Sequence, residues 1–126
     1  MRRGTSCIIF CALWAAASAA ATEAGSHGTL TVGSLTLHHC SSAAPWCATL
    51  ERPLDPRGVV AGTVPVYFEY YPHSGPGTAA GTLVATEGGP GYPATDSRAA
   101  YLTLFGPLRP RYDVLIMDNR GTGRSG

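Results

Sequence analysis

Residues 82–118 constrain the fold more than any other part of the chain. Thr82 to Thr86 is a short, small and apolar run that ends in Glu87-Gly88-Gly89-Pro90-Gly91. Tyr112 to Met117 is almost continuously apolar through Val114, Leu115, Ile116 and Met117, the pattern of a strand buried on both faces. Between them, Thr95 or Asp96 stands where a helix cap is expected, with the helix running from about Ser97 to Leu104 or Phe105. Gly106-Pro107 and Pro110 would stop it. Strand, loop, helix and strand in this span suffice for one right-handed βαβ crossover.

Upstream the period changes to two. Leu30, Val32, Leu35 and Leu37 alternate around Gly33-Ser34, as in a short ribbon. Ala48 to Leu54 reads as a weaker strand closed by the turn signal Asp55-Pro56-Arg57-Gly58. Thr63 to Tyr71 is a stronger one: Val64, Val66, Phe68 and Tyr70 share one face, and Tyr67, Glu69 and Tyr71 take the other. Pro72 to Gly81, rich in Pro, Gly and Ser, is a loop. A hairpin followed by a βαβ unit makes the expected class α/β. The last residues, Ser125-Gly126, fall in a glycine-rich turn just after a buried strand, and an isolated parallel pair has open edges. The expectation is therefore the N-terminal part of a larger domain.

Arg2 and Arg3, an apolar run from Cys7 to Ala17 and the small residues Ser18 to Ala21 have the order of a secretory signal peptide, assigned to residues 1–24. The run is too short for a stable membrane anchor. Residues 25–126 are then the mature chain, expected to be secreted. Charged residues make up only 13% of the sequence, with nine Arg and no Lys against eight acids. No field of either sign exists to steer the protein to nucleic acid or anionic lipid, so neither is expected as a partner. The mature cysteines are Cys40 and Cys47. In an oxidising compartment this pair is most simply a local disulfide. His38 and His39 beside Cys40 raise metal binding as an alternative, but one Cys-x6-Cys lacks structural-zinc spacing, so no metal and no organic cofactor is expected.

Three glycine-containing motifs invite chemistry. Gly88-Gly89-Pro90-Gly91 has a chance expectation of roughly 0.02 in a chain of this composition, so it is informative. Glycines after a parallel strand let the backbone turn sharply and present a bare N–H, while Pro90 restricts φ and adds no competing donor. Such a donor suits the oxyanion of an acyl-transfer intermediate. Gly121-x-Gly123-x-x-Gly126 matches a dinucleotide fingerprint by letter, but its chance expectation is roughly 0.25 and it carries no weight. Gly123-Arg124-Ser125-Gly126 begins like a nucleophile elbow, yet Ser125 lies seven residues past Asp118 instead of on a sharp strand-to-helix turn.

Glu87-Gly88-Gly89-Pro90-Gly91 followed, after a helix, by Asp118-Asn119-Arg120-Gly121-Thr122-Gly123-Arg124-Ser125 resembles the α/β-hydrolase serine aminopeptidases, namely proline iminopeptidases and secreted actinobacterial tripeptidyl-aminopeptidase-like enzymes. Cys47-Ala48-Thr49-Leu50-Glu51-Arg52-Pro53-Leu54-Asp55 resembles the stretch that the secreted members carry after the signal peptide. The resemblance implies an α/β-hydrolase fold with a mostly parallel sheet, incomplete in this chain, and a Ser-Asp-His triad lying beyond Gly126. It makes Gly89 one oxyanion N–H donor, with Gly88, Pro90 and Gly91 forming its loop, and makes Asp118, Arg120, Gly121 and Gly123 scaffolding beside the site. One position departs from the proline iminopeptidase pattern, which has His where this chain has Glu87.

The function expected on this reading is cleavage of N-terminal residues or tripeptides from peptides with a free N-terminus, through an acyl-enzyme. The segment alone is expected to be inactive, because His38, His39 and His73 precede the glycine loop in the wrong chain order for the triad. The alternative is a non-catalytic, disulfide-tied secreted binding module using Tyr67, Tyr70 and Tyr71, or a hydrolase-like fragment without activity.

Overall fold

A computed structural model describes residues 28–40 and 46–126. The expected signal peptide lies outside the described residues. The ordered elements are β1 (Thr29–Val32), β2 (Leu35–His38), β3 (Trp46–Pro53), β4 (Thr63–Tyr71), β5 (Gly81–Ala85), α1 (Arg98–Leu104) and β6 (Tyr112–Met117). Short 3-10 turns at Ala94–Ser97 and Gly106–Leu108 flank α1. The strands form one sheet in the order β1-β2-β3-β4-β6-β5.

Local chemistry explains the hairpins. Gly33 has φ +60° at the first central position of the two-residue turn between β1 and β2, where a hairpin that matches strand twist needs glycine. β3 and β4 pair over their whole common length, from Trp46↔Tyr70 to Pro53↔Thr63. Their connection is organised by Asp55, whose carboxylate accepts the N–H groups of Arg57 (2.9 Å), Val59 (3.0 Å) and Val60 (3.3 Å). These bonds to the charged form hold the Asp55 carboxyl below its ordinary range, the Arg57 amide contributing most. Cys40 and Cys47 are joined by a disulfide, with Cα atoms 5.6 Å apart, and tie the end of β2 to the start of β3.

The mostly parallel sheet implied by the resemblance is not what the chain forms. Four of the five strand pairings are antiparallel, and only β5–β6 is parallel. Strand occupies 38% of the described residues and helix 15%, so the α/β-hydrolase class is corrected to a mixed, mostly antiparallel sheet. The physical reason is connection length and content. Parallel neighbours need a crossover of a dozen or more residues, and only the segment between β5 and β6, carrying α1, supplies one. The turns before β2 and β4 are helix-free, so those strands fold back as hairpins. The loop after β4 carries the chain one position past its neighbour, and β6 returns to fill the gap antiparallel to β4.

Both sheet faces are covered. On one, α1 and its flanking turn pack Ala94, Tyr101, Leu102 and Phe105 over Tyr71, Ala85, Val114 and Ile116. On the other, Leu37, Phe68 and Tyr70 are buried with Leu30, Trp46, Leu50, Leu115 and Met117 around them. β6 is the apolar centre, its alternate residues serving the two clusters. α1 itself begins one residue later than expected and is not side-chain capped: Thr95 and Asp96 lie inside the preceding 3-10 turn, and Thr95 is buried with its hydroxyl turned to Asp118.

Ile116 is fully buried and Val84, on the edge strand β5, is 60% exposed. Ile116→Ala should therefore cost about 2–5 kcal/mol in a denaturant titration. Val84→Ala should cost under about 1 kcal/mol.

Candidate functional site

β5 and β6 run parallel, so their carboxyl ends open onto the same edge of the sheet, and both glycine segments start there. After Ala85 the chain passes Thr86 and Glu87 and enters the exposed loop Gly88–Gly91, in which the Gly89–Pro90 peptide is cis and Gly91 has φ +74°. Among the described residues, no hydrogen bond engages the N–H of Gly88, Gly89 or Gly91.

One side chain fastens this loop to β6. The Asn119 Nδ2 donates to the Glu87 carbonyl (2.7 Å), and its Oδ1 accepts from the Thr86 hydroxyl (2.8 Å). On the helix side, Tyr101 donates its hydroxyl to the Thr86 carbonyl (3.0 Å). The Tyr101 phenol is pushed up, first by burial and then by the neighbouring Glu87 carboxylate. Glu87 thus has Tyr101 of α1 as a neighbour.

The turn after β6 is built around Asp118, which is completely buried. Its carboxylate accepts the Thr95 N–H (2.9 Å), the Thr95 hydroxyl (3.0 Å) and the Arg124 N–H (3.1 Å). Gly121 (φ +74°) and Gly123 (φ +53°) adopt the left-handed backbone that reverses the chain. At Gly123 a Cβ would strike the Asp118 carboxylate and stand 2.6 Å from the Pro93 Cβ. Glycine is required there by space as well as by φ. Ser125 is buried: its hydroxyl accepts from the Tyr67 N–H (2.8 Å) and donates to the Asp118 carbonyl (2.9 Å). Both of those bonds are structural, linking the turn to β4 and to itself.

Of the residues expected at the site, Gly88, Gly89, Pro90, Gly91, Asp118, Gly121 and Gly123 come to one end of the β5–β6 pair. Arg120 does not join them; it reaches the carbonyl of Leu54 after β3 (3.1 Å). Tyr67, Tyr70 and Tyr71 are no binding surface. They are 5%, 9% and 3% exposed, and each hydroxyl is engaged. The surface role expected for them failed because β4 is interior, flanked by β3 and β6, with both faces covered.

On the helix face the Glu69 carboxylate accepts from the Tyr71 hydroxyl (2.8 Å) and takes a two-point contact from Arg98 (2.9 and 2.7 Å). Burial first, then this carboxylate, raises Tyr71, and the same contact raises Arg98. Burial also raises Tyr67, whose hydroxyl accepts from Arg124 (2.7 Å). On the opposite face, Asp113 receives the Tyr70 hydroxyl (2.6 Å), the His73 amide (2.8 Å) and the His73 ring (2.9 Å). Sequence reading missed this cluster, although Asp113 is the sole acid inside the apolar run Tyr112–Met117. His38 and His39 are exposed, and His39 lies against Trp46 with ring centroids 4.2 Å apart. Among the described residues no group of three or more His, Cys, Asp or Glu side chains is placed to hold a metal ion. Nor is any helix among them long and apolar enough to cross a membrane.

No family model matches the chain, and no curated protein is similar to it. The site therefore rests on its own geometry.

Gly123→Ala should destabilise the protein by about 2–4 kcal/mol, a left-handed backbone and a blocked Cβ acting together. Ser125→Ala should cost about 1–3 kcal/mol by leaving the Tyr67 N–H and the Asp118 carbonyl unpaired. Thermal unfolding of each variant checks both.

Proposed function

We propose that this chain supplies the oxyanion-donor half of a secreted serine hydrolase that cleaves residues or tripeptides from peptides with a free N-terminus. The proposal concerns the chemistry, and the parallel sheet that accompanied the resemblance forms no part of it. The observation that carries the reading is the exposed Gly88–Gly91 loop, whose N–H groups have no partner among the described residues and whose base is braced by Asn119, Thr86 and Tyr101. A donor held in place before the reaction needs no reorganisation when negative charge develops on a carbonyl oxygen, which is how such loops accelerate acyl transfer. In this reading Gly89 donates, and Asp118, Gly121 and Gly123 keep the adjoining turn rigid. Ser125 is not the nucleophile, since its hydroxyl is committed to Tyr67 and Asp118. Nucleophile, orienting acid and base are assigned to sequence beyond Gly126.

The disulfide favours a second reading, a non-catalytic secreted module, because a covalent tie between β2 and β3 stabilises a small extracellular sheet. With Tyr67, Tyr70 and Tyr71 buried, that module would have to bind through other residues.

Reading the transcript past codon 126 separates the two. A continuing frame with a strand entering Gly-x-Ser-x-Gly, then an Asp and a late His, supports the hydrolase. A stop codon at that point removes the nucleophile and overturns it. In a continuing protein, Gly89→Pro deletes the donor N–H and should lower kcat by about 10²–10³-fold with KM little changed. An unchanged kcat would remove Gly89 from the mechanism.

A further inference from the structure

His73 lies just beyond β4, at the start of the loop to β5, and both of its ring nitrogens face oxygen atoms. Nδ1 is 2.9 Å from the Asp113 carboxylate on β6, and Nε2 is 2.9 Å from the carbonyl of Gly77 near the tip of its own loop. A neutral imidazole carries one N–H and would set a lone pair against oxygen at one of these contacts. Only the imidazolium donates to both.

We propose that His73 is a proton-dependent latch that clamps the loop between β4 and β5 onto β6 and closes one wall of a cleft beside β1. The cleft has a volume of about 300 Å³ and is lined by Leu30 and Val32 of β1, by Pro72, Thr78 and Ala79 of the loop, and by His73 and Asp113. The loop ends are fixed by main-chain bonds, Ser74 N–H to the Arg109 carbonyl (2.9 Å) and Ala80 N–H to the Arg111 carbonyl (2.7 Å). Between those points the Gly77 carbonyl is gripped by the His73 ring, so the ring ties the tip to both anchors and the loop loosens as one when it lets go.

The groups facing the ring set the sign of the response. Asp113 from β6 is the acid, and Tyr70 from β4 donates to its other oxygen (2.6 Å). Burial and Asp113 push the Tyr70 phenol up to about 12, so it remains a donor across the useful range. Arg109, from the turn after α1, donates one guanidinium N–H to the Pro72 carbonyl (3.1 Å) and lies above the Tyr71 ring, while its Nε is buried without a partner among the described residues. β1 contributes only Leu30, Thr31 and Val32 to the cleft. The hydrogen bond to Asp113, then that to Gly77, raises His73 above its ordinary 6.5. Burial pushes Asp113 up, but the hydrogen bonds from Tyr70 and His73 outweigh it, and its carboxyl ends below its ordinary range. A raised imidazole stabilises the folded loop fully below 6.5 and loses that contribution as pH climbs through the folded value. A lowered carboxyl contributes above its ordinary range and loses that contribution as pH falls through its folded value. The latch is therefore closed between the folded value of Asp113 and that of His73, and it opens as pH rises through the folded value of His73, above 6.5.

The test is an NMR titration of the full chain, following the His73 ring together with hydrogen-exchange protection at the His73, Ser74 and Ala80 amides. The expected result is a ring midpoint above 6.5, with protection at the three amides lost as pH climbs through that same midpoint. In His73→Gln the protection should be low and independent of pH over that range. In Asp113→Asn the ring should return toward the ordinary imidazole value. A wild-type midpoint at or below 6.5 would overturn the proposal without recourse to any variant. So would a raised midpoint with no change in loop protection, since the proton would then hold nothing in place.

Discussion

Everything at the carboxyl edge of the sheet depends on how β4 satisfies its backbone. On one side β4 is paired along its length with β3, while on the other β6 covers only Phe68 to Tyr71. The rest is met by the turn that follows β6. The Asp118 N–H donates to the Tyr67 carbonyl (3.1 Å), the Tyr67 N–H donates to Ser125 (2.8 Å), and the Gly126 N–H donates to the Pro65 carbonyl (3.0 Å). Buried main-chain groups left without partners would cost about 1–3 kcal/mol each. The chain therefore leaves β6 and folds straight back along β4, and Gly121 and Gly123 make that reversal possible. Through the buried Asp118 carboxylate the same turn holds Thr95, and so the entry to α1. Through Asn119 it holds the base of the Gly88–Gly91 loop.

Each face of the sheet carries one sequestered carboxylate with a tyrosine and a cation beside it. Glu69, under the helix, is met by Tyr71 and Arg98, and Asp113, on the opposite face, is met by Tyr70 and His73. The two cations differ in consequence. Arginine stays charged at any pH the protein meets, so the helix-side contact is a permanent fastening of α1 to β4. Histidine titrates near neutrality, so the contact on the other face responds to protons. Neighbouring residues of one strand thus take up a fixed contact and a switchable one, because alternate side chains of β4 enter different environments.

Much of the local structure was legible. The alternation in Thr63–Tyr71 and the continuous apolar run Tyr112–Met117 mark β4 and β6 with the bounds that the structure gives them. Gly33-Ser34 marks a hairpin turn, and the spacing of Cys40 and Cys47 marks a disulfide. The less legible features depend on partners distant in sequence. Thr95 has the side chain of a helix cap, but its hydroxyl is drawn to Asp118, 23 positions along the chain. Tyr67, Tyr70 and Tyr71 have the composition of a recognition surface and are interior. Asp113 reads as an interruption of an apolar strand until the loop after β4 brings His73 against it.

The sequence by itself determined which segments form strands, where the chain must turn, and which segment has the length and content for a parallel crossover. These are properties of neighbouring residues: period, φ restriction, and the presence or absence of a helix-forming stretch. Only the tertiary structure decided that the sheet is mostly antiparallel, that Ser125 and Asp118 are spent on satisfying β4, and that His73 stands between two oxygens. Strand order and the pairing of buried polar groups are set by which distant surfaces meet. A single-residue pattern carries no record of its partner until both are desolvated together.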